Sequence, residues 1–175
     1  MRWNDLFSDL EGQLASARTS EFESGVRDLA QAERATVRLA ERLASSVSAR
    51  VTLTLRGGVH VSGVVSDVTG AWVLLTEGKR EQLVPLGAIA MARGVGHRAS
   101  SLGAVAARLG LGHALRALAR EGAPIIVLTS AGEVRGRIDQ VGADHLDLAP
   151  DDGVAVTVAF AEVLAVAPAG RGTLV

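Results

Sequence analysis

The sequence predicts an α+β chain of two tandem five-stranded small antiparallel β-barrels, each preceded by helix, behind an N-terminal helical segment. Three observations predict it. A stretch of apolar alternation occurs twice, over residues 50–92 and 124–166, with its glycines in matching places. Inside each copy the alternating runs are short and are cut by glycine- and proline-containing turns, the pattern of small antiparallel sheets. Ahead of each copy, apolar residues recur at helical spacing instead. The expected organisation is a helical segment over 1–49, a first barrel over 50–98, an inter-barrel helix over 99–123, a second barrel over 124–168 and a flexible tail over 169–175. Each barrel is near the lower size limit for independent folding, so the helices are expected to complete their cores.

In chain order, Trp3, Leu6, Phe7, Leu10 and Leu14 share one helical face, opposite Asp5, Asp9, Glu11 and Gln13. That face suits packing on a barrel or on another subunit, and Trp3, Leu6, Phe7 and Leu10 form the candidate helix interface. The acidic opposite face argues against membrane-surface binding. A second helix is expected over 21–48, with Val26, Leu29, Ala30, Val37, Ala40, Leu43 and Val47 as a stripe interrupted by Glu33.

In the first copy Val51, Leu53 and Leu55 alternate and stop at Gly57-Gly58, a pair suited to the positive φ angles of a hairpin turn. In the second copy Ile126 and Leu128 alternate and stop at Ala131-Gly132. Gly63 and Gly136 then fall inside a strand, where glycine marks a bulge or a sharp bend. Turns follow at Thr69-Gly70 and Gly142-Ala143, then at Glu77-Gly78 and Pro150 to Gly153. One tight turn precedes each last strand, at Leu86 to Ala88 and at Phe160 to Glu162. Between the copies, Ser100 or Ser101 can cap a helix carrying Leu102, Val105, Ala106 and Leu109. Gly110 and Gly112 interrupt it, Ala114, Leu115, Leu118 and Ala119 resume its apolar face, Gly122 closes it, and Pro124 prevents continuation.

Five short strands with a bent second strand and a one-turn break before the fifth resemble the Sm-like, or small Src-homology-like, β-barrel family. Gly132-Glu133-Val134-Arg135-Gly136 is close to the first Sm motif, and Asp144-His145-Leu146-Asp147 is similar to the family's Asp-His-Met-Asn loop. Gly70-Ala71-Trp72-Val73 departs from that loop, and the family's Arg-Gly before the last strand is missing, since Arg93-Gly94 follows it. The resemblance implies the barrel fold, and Asp144, His145 and Asp147 as a ligand-loop position.

Charge narrows the function. The net charge is −1, but residues 50–98 carry six cations against three acids, so only the first copy is basic. Arg50, Arg56, Lys79, Arg80, Arg93 and Arg98, with Trp72 as the one aromatic expected near a surface, make a candidate face for nucleic acid or an acidic partner. With five aromatics and no tyrosine, the chain is poor in base-stacking platforms. The absence of cysteine removes disulfides, thiolate metal sites and thiol catalysis. His60, His97, His113 and His145 show no metal-ligand spacing. Gly94-Val95-Gly96-His97-Arg98-Ala99 fits a glycine fingerprint for pyrophosphate, but the next strand ends at Thr129-Ser130, without the acidic residue such a site needs.

The expectation is a non-enzymatic interaction or scaffold module, without cofactor, metal or small-molecule substrate, that binds protein partners or self-associates. The alternative is an RNA- or DNA-binding accessory protein using the basic first copy. The longest run free of Lys, Arg, Asp and Glu is 11 residues, short of a bilayer span, and no signal-peptide pattern opens the chain, so a cytoplasmic location is expected. Arginine outnumbers lysine 17 to 1, as GC-rich bacterial codon usage would produce.

Overall fold

A computed structural model describes residues 35–150 and 153–170 of the chain. Its compact unit beginning at Arg38 is built on ten antiparallel strands in one continuous sheet. The first stretch supplies β1 (Arg50–Leu55), β2 (His60–Val68), β3 (Trp72–Glu77), β4 (Arg80–Pro85) and β5 (Ile89–Arg93). The second supplies β6 (Ile125–Thr129), β7 (Gly132–Val141), β8 (His145–Ala149), β9 (Val156–Ala159) and β10 (Val163–Pro168). Two α-helices accompany them among the described residues, α1 (Leu39–Ala44) and α2 (Leu111–Glu121).

The expected pair of closed barrels is wrong. The strand order is β5-β1-β2-β3-β4-β10-β6-β7-β8-β9, an open sheet with β5 at one end and β9 at the other. In each stretch the fifth strand pairs with the first, but β4 does not return to β5. It pairs instead with β10, with Val166 opposite Leu83. The physical reason lies in the cores. The first core gathers Val51, Leu53, Val65, Val73 and Val84 but takes Ile126, Leu128, Leu164 and Ala165 from the second stretch as a wall. The second gathers Leu115, Ile125, Val127, Leu146, Leu148 and Val158 and takes Leu83 from the first. Each core borrows a wall, so neither stretch closes on itself.

Strands β6 and β10 therefore do not alternate. All five residues of Ile125–Thr129 are buried, as are Val163 to Ala167. The alternation of Ile126 and Leu128 was only half the pattern: those two face the first core, while Ile125 and Val127 face the second. A run apolar at every position is the pattern of a strand covered on both faces.

Local chemistry explains the bends. A Cβ on Gly63 would lie 3.0 Å from the Thr76 carbonyl oxygen, and one on Gly136 would lie 2.7 Å from that of Ala149. At both positions the neighbouring strand crosses too closely for a side chain. The register shifts come three residues later, at Ser66 and at Asp139, where one extra residue bulges and sharpens the twist. Before each fifth strand the turn is a single 3-10 turn, Leu86–Ala88 or Phe160–Glu162.

The helical expectations hold in part. The first half of the predicted helix over 21–48, residues 21–34, lies outside those described, as does the whole face of Trp3, Leu6, Phe7 and Leu10. In its described part Arg38 is extended, its N–H donating to Glu41 Oε2 at 2.8 Å, and α1 places Ala40 and Leu43 in the first core. The helix expected from Ser100 does not form before a 3-10 turn at Ala106–Arg108. Tertiary bonds hold that segment instead: Ser100 N–H donates to Glu41 O, Gly70 N–H donates to Ala106 O, and Leu102 packs on the first core. The second half forms as expected. Leu115 is fully buried, and Gly122 ends α2 in the left-handed region at φ 65°. Of the expected tail, residues 171–175 lie outside those described.

Two substitutions test the crossings. Gly136→Ala should cost about 1–3 kcal/mol and Gly63→Ala less, because the former must displace a backbone carbonyl from a shorter approach. Urea unfolding of both variants measures it, and equal costs would contradict the geometry.

Candidate functional site: the free edges of the sheet

The polar groups singled out by sequence do not converge on a catalytic centre. Arg50, at the start of β1, pairs with Glu77, and Glu77 lies opposite Arg80 in the register of β3 and β4. Lys79 stands in the turn between those two strands. Arg93 ends β5 opposite Thr52, near the same end of β1. Arg56 sits past the other end, roughly 20 Å away at the rise of an extended strand, and donates to the Ala161 carbonyl. Its role is to tie the β1–β2 turn to the turn before β10. The carbonyl of Arg98 accepts from Ser45 Oγ at 2.7 Å. Arg50, Lys79, Arg80 and Arg93 thus gather toward one end of the first stretch, and Arg56 does not join them.

Trp72 is half-buried against the second core, and its Nε1 is sealed from solvent with no hydrogen-bond partner. Such an indole is a packing group. With Leu74, Leu83, Leu118 and Val166 it lines a cavity of about 270 Å³ beneath α2, where β4 meets β10.

The Asp144, His145 and Asp147 group lies in the β7–β8 turn and at the start of β8. His145 Nδ1 is 2.9 Å from Asp144 Oδ1, Thr157 Oγ1 donates to Asp147 Oδ1 at 2.5 Å, and Arg116 Nη2 donates to the Gly142 carbonyl at 2.9 Å. The imidazole covers Gly142 so closely that a Cβ there would overlap the ring. The hydrogen bond to Asp144 raises the pKa of His145, supported by the charges of Asp147 and Asp144 against desolvation, and the same bond lowers the pKa of Asp144. This loop is braced from within.

Among the described residues no metal or nucleotide chemistry gathers, and no three of His, Cys, Asp and Glu form a metal-binding group. His60 Nδ1 lies 3.0 Å from Thr54 Oγ1 on the neighbouring strand. The Gly94 to Ala99 loop turns carbonyls toward α1, with Arg42 Nε donating to Gly96 O at 2.9 Å. A pyrophosphate cradle needs N–H groups and a helix beginning at its end, whereas α2 begins only at Leu111. Nor is any helix among the described residues long and apolar enough to cross a membrane.

What the fold leaves open is its two ends. Among the described residues, strand β5 pairs only with β1, and β9 only with β8. Each end carries an exposed large apolar side chain: Met91, 53% exposed, on β5, and Val154, 70% exposed, just before β9. Neither strand has a proline or lysine, and Arg93 at the end of β5 is the one charge in either. Sequence reasoning did not single out these strands, although Met91 was a legible signal: a large apolar residue between alanines in a strand that buries little.

No family model matches the chain, and no curated protein matches it.

The Asp144–His145 bond sets a pH dependence. A raised histidine pKa contributes stability that is full below the ordinary histidine value of about 6.5 and is lost as pH rises through the folded value. The lowered Asp144 pKa contributes stability present above the ordinary aspartate value of about 3.9 and lost as pH falls through the folded value. An NMR titration of His145 is expected to shift downward in Asp144→Asn. An unchanged midpoint would show that the bond does not form in solution.

Proposed function

We propose that the protein is a non-enzymatic interaction module that takes up protein partners by strand addition at β5 and β9. The observation that carries this reading is that, among the described residues, no strand pairs with the outer edge of β5 or of β9. Exposed edges in natural sheets are ordinarily blunted by lysine, proline, inward charge or a covering element, because their free N–H and C=O groups template pairing. Here the chain ends its sheet on Ile89–Arg93 and Val156–Ala159, with Met91 and Val154 exposed beside them. Backbone hydrogen bonds would supply affinity and the alternate side chains selectivity, as in other strand-addition complexes.

A second reading, an accessory role on RNA or DNA, is favoured by the gathering of Arg50, Lys79, Arg80 and Arg93 at one end of the first stretch. Its contacts would be to phosphates and strongly salt-dependent.

The two readings separate cleanly. Thr157→Pro removes an edge N–H together with the Thr157–Asp147 side-chain bond, and Met91→Lys charges the other edge at a side chain already half in solvent, so Met91→Lys should keep the native melting temperature and Thr157→Pro should stay folded with a modestly lower one. Each is expected to lose at least one partner recovered from native lysate after nuclease treatment, and full recovery by both would reject strand addition. Charge reversal of Lys79 and Arg80 should abolish low-salt retention on a single-stranded oligonucleotide if the second reading holds; unchanged retention would remove it.

A further inference from the structure

We propose that the cavity beneath α2 binds a small organic cation, an amine whose apolar body of about ten carbons fills the cavity and whose ammonium sits at its mouth. This goes beyond strand addition and is independent of it. The cavity is lined by β3, β4 and β10, in the middle of the sheet, away from β5 and β9.

The cavity begins in the sequence of α2. Leu111, Leu115 and Leu118 give that helix large side chains for the second core, but Ala114 and Ala117 meet the seam of β4 and β10 with only a methyl group each. On the sheet side Leu74 lies opposite Leu83 across β3 and β4, and Val166 continues the same wall on β10. Two alanines on the helix leave about 270 Å³ between these walls unfilled. Close-packed protein interiors hold few voids larger than a water molecule. An apolar cavity of about 150 Å³ stays dry and accepts benzene, so one nearly twice that size takes a ring with a short chain. Trp72 adds an aromatic wall against which a ring can stack.

The pairings put the mouth at the C-terminal end of α2. Glu81 and Pro168 are the exposed residues of the lining. From Val166 opposite Leu83, two further residues along the antiparallel pair bring Pro168 level with Glu81. Pro168 also lies opposite Ile125, three residues past the Gly122 that closes α2.

That mouth is negative. Glu81 shares a face of β4 with Leu83, and among the described residues it enters no ion pair. Glu121, exposed in the last turn of α2, falls on the helical stripe of Ala114, Ala117 and Leu118. Arg120, the cation of that turn, lies about 100° round the helix from Glu121. The carbonyl end of the helix adds its own partial negative charge. Apolar walls that end in negative groups fit a cation with an apolar body. Glu81 is the one titratable group among the described residues of the lining, so the cavity holds a ligand without an acid–base pair to convert it.

The test is calorimetric titration of the full chain with 4-phenylbutylamine, 4-phenylbutanol and 4-phenylbutyrate, which share one apolar body and differ in charge. The wild type is expected to bind the amine one-to-one with a Kd below about 1 mM, the alcohol more weakly and the acid most weakly. Glu81→Gln should weaken the amine about two- to fivefold, the range of an exposed ion pair, and leave the alcohol unchanged. Ala117→Leu occupies the cavity and should abolish binding of all three. Because overpacking can cost stability, methyl NMR of the wild type locates the ligand without a substitution. The amine should shift the methyls of Leu83, Ala114 and Ala117 and leave those of Met91 and Val154 in place. No binding at millimolar amine, equal affinity for amine and acid, or shifts confined to other methyls overturns the proposal. So does a folded Ala117→Leu variant that binds the amine as the wild type does.

Discussion

The structure depends on one strand that is occupied on every side. β10 has β6 along one edge and β4 along the other, and Val163 to Ala167 are buried on both faces. Its two faces contribute to two cores: Val163 and Val166 to the second, Leu164, Ala165 and Ala167 to the first. Removing a fully buried leucine from such a place costs about 2–5 kcal/mol, a large part of the ~5–15 kcal/mol that holds a domain folded. The two stretches are therefore one folding unit.

The first stretch shows what such a strand is like without its neighbour. Strand β5 pairs with β1 as β10 pairs with β6, but among the described residues nothing pairs with its second edge, and Ala90, Met91 and Arg93 are exposed. At the far end β9 corresponds to β4 and likewise has no second neighbour among the described residues. The same architecture thus presents one filled junction and two halves of an empty one. Side-chain chemistry follows that division, with Trp72, Leu74 and Leu83 at the filled seam and His145, Asp147 and Thr157 at the open end.

Much of the local structure was legible from residues. Gly63 and Gly136 announced strands that pass too close to their neighbours for a side chain, and the clash distances to Thr76 and Ala149 give the reason. Gly122 and Pro124 announced the end of α2. The first half of the expected inter-barrel helix failed because Ser100, Leu102 and Ala106 found bonds and burial elsewhere in the fold, which outweigh a helix cap. Of the candidate residues, Arg56 and Trp72 turned out to hold the structure together, and the edge strands were missed because neither carries a chemically distinctive side chain.

The sequence by itself determined where strands begin, bend and turn, and that the chain has the apolar content to bury them. It also held an unread clue, the unbroken apolar runs at Ile125 to Leu128 and Val163 to Ala167, which call for cover on both faces. Only the tertiary structure decided which edges meet. Alternation of side chains encodes the faces of a strand, and faces choose cores. The edges are backbone N–H and C=O, nearly the same in every residue, so β4 could have closed on its own β5 or gone to β10. The shared cores go with that choice: Ile126, Leu128, Leu164 and Ala165 wall the first, and Leu83 reaches into the second.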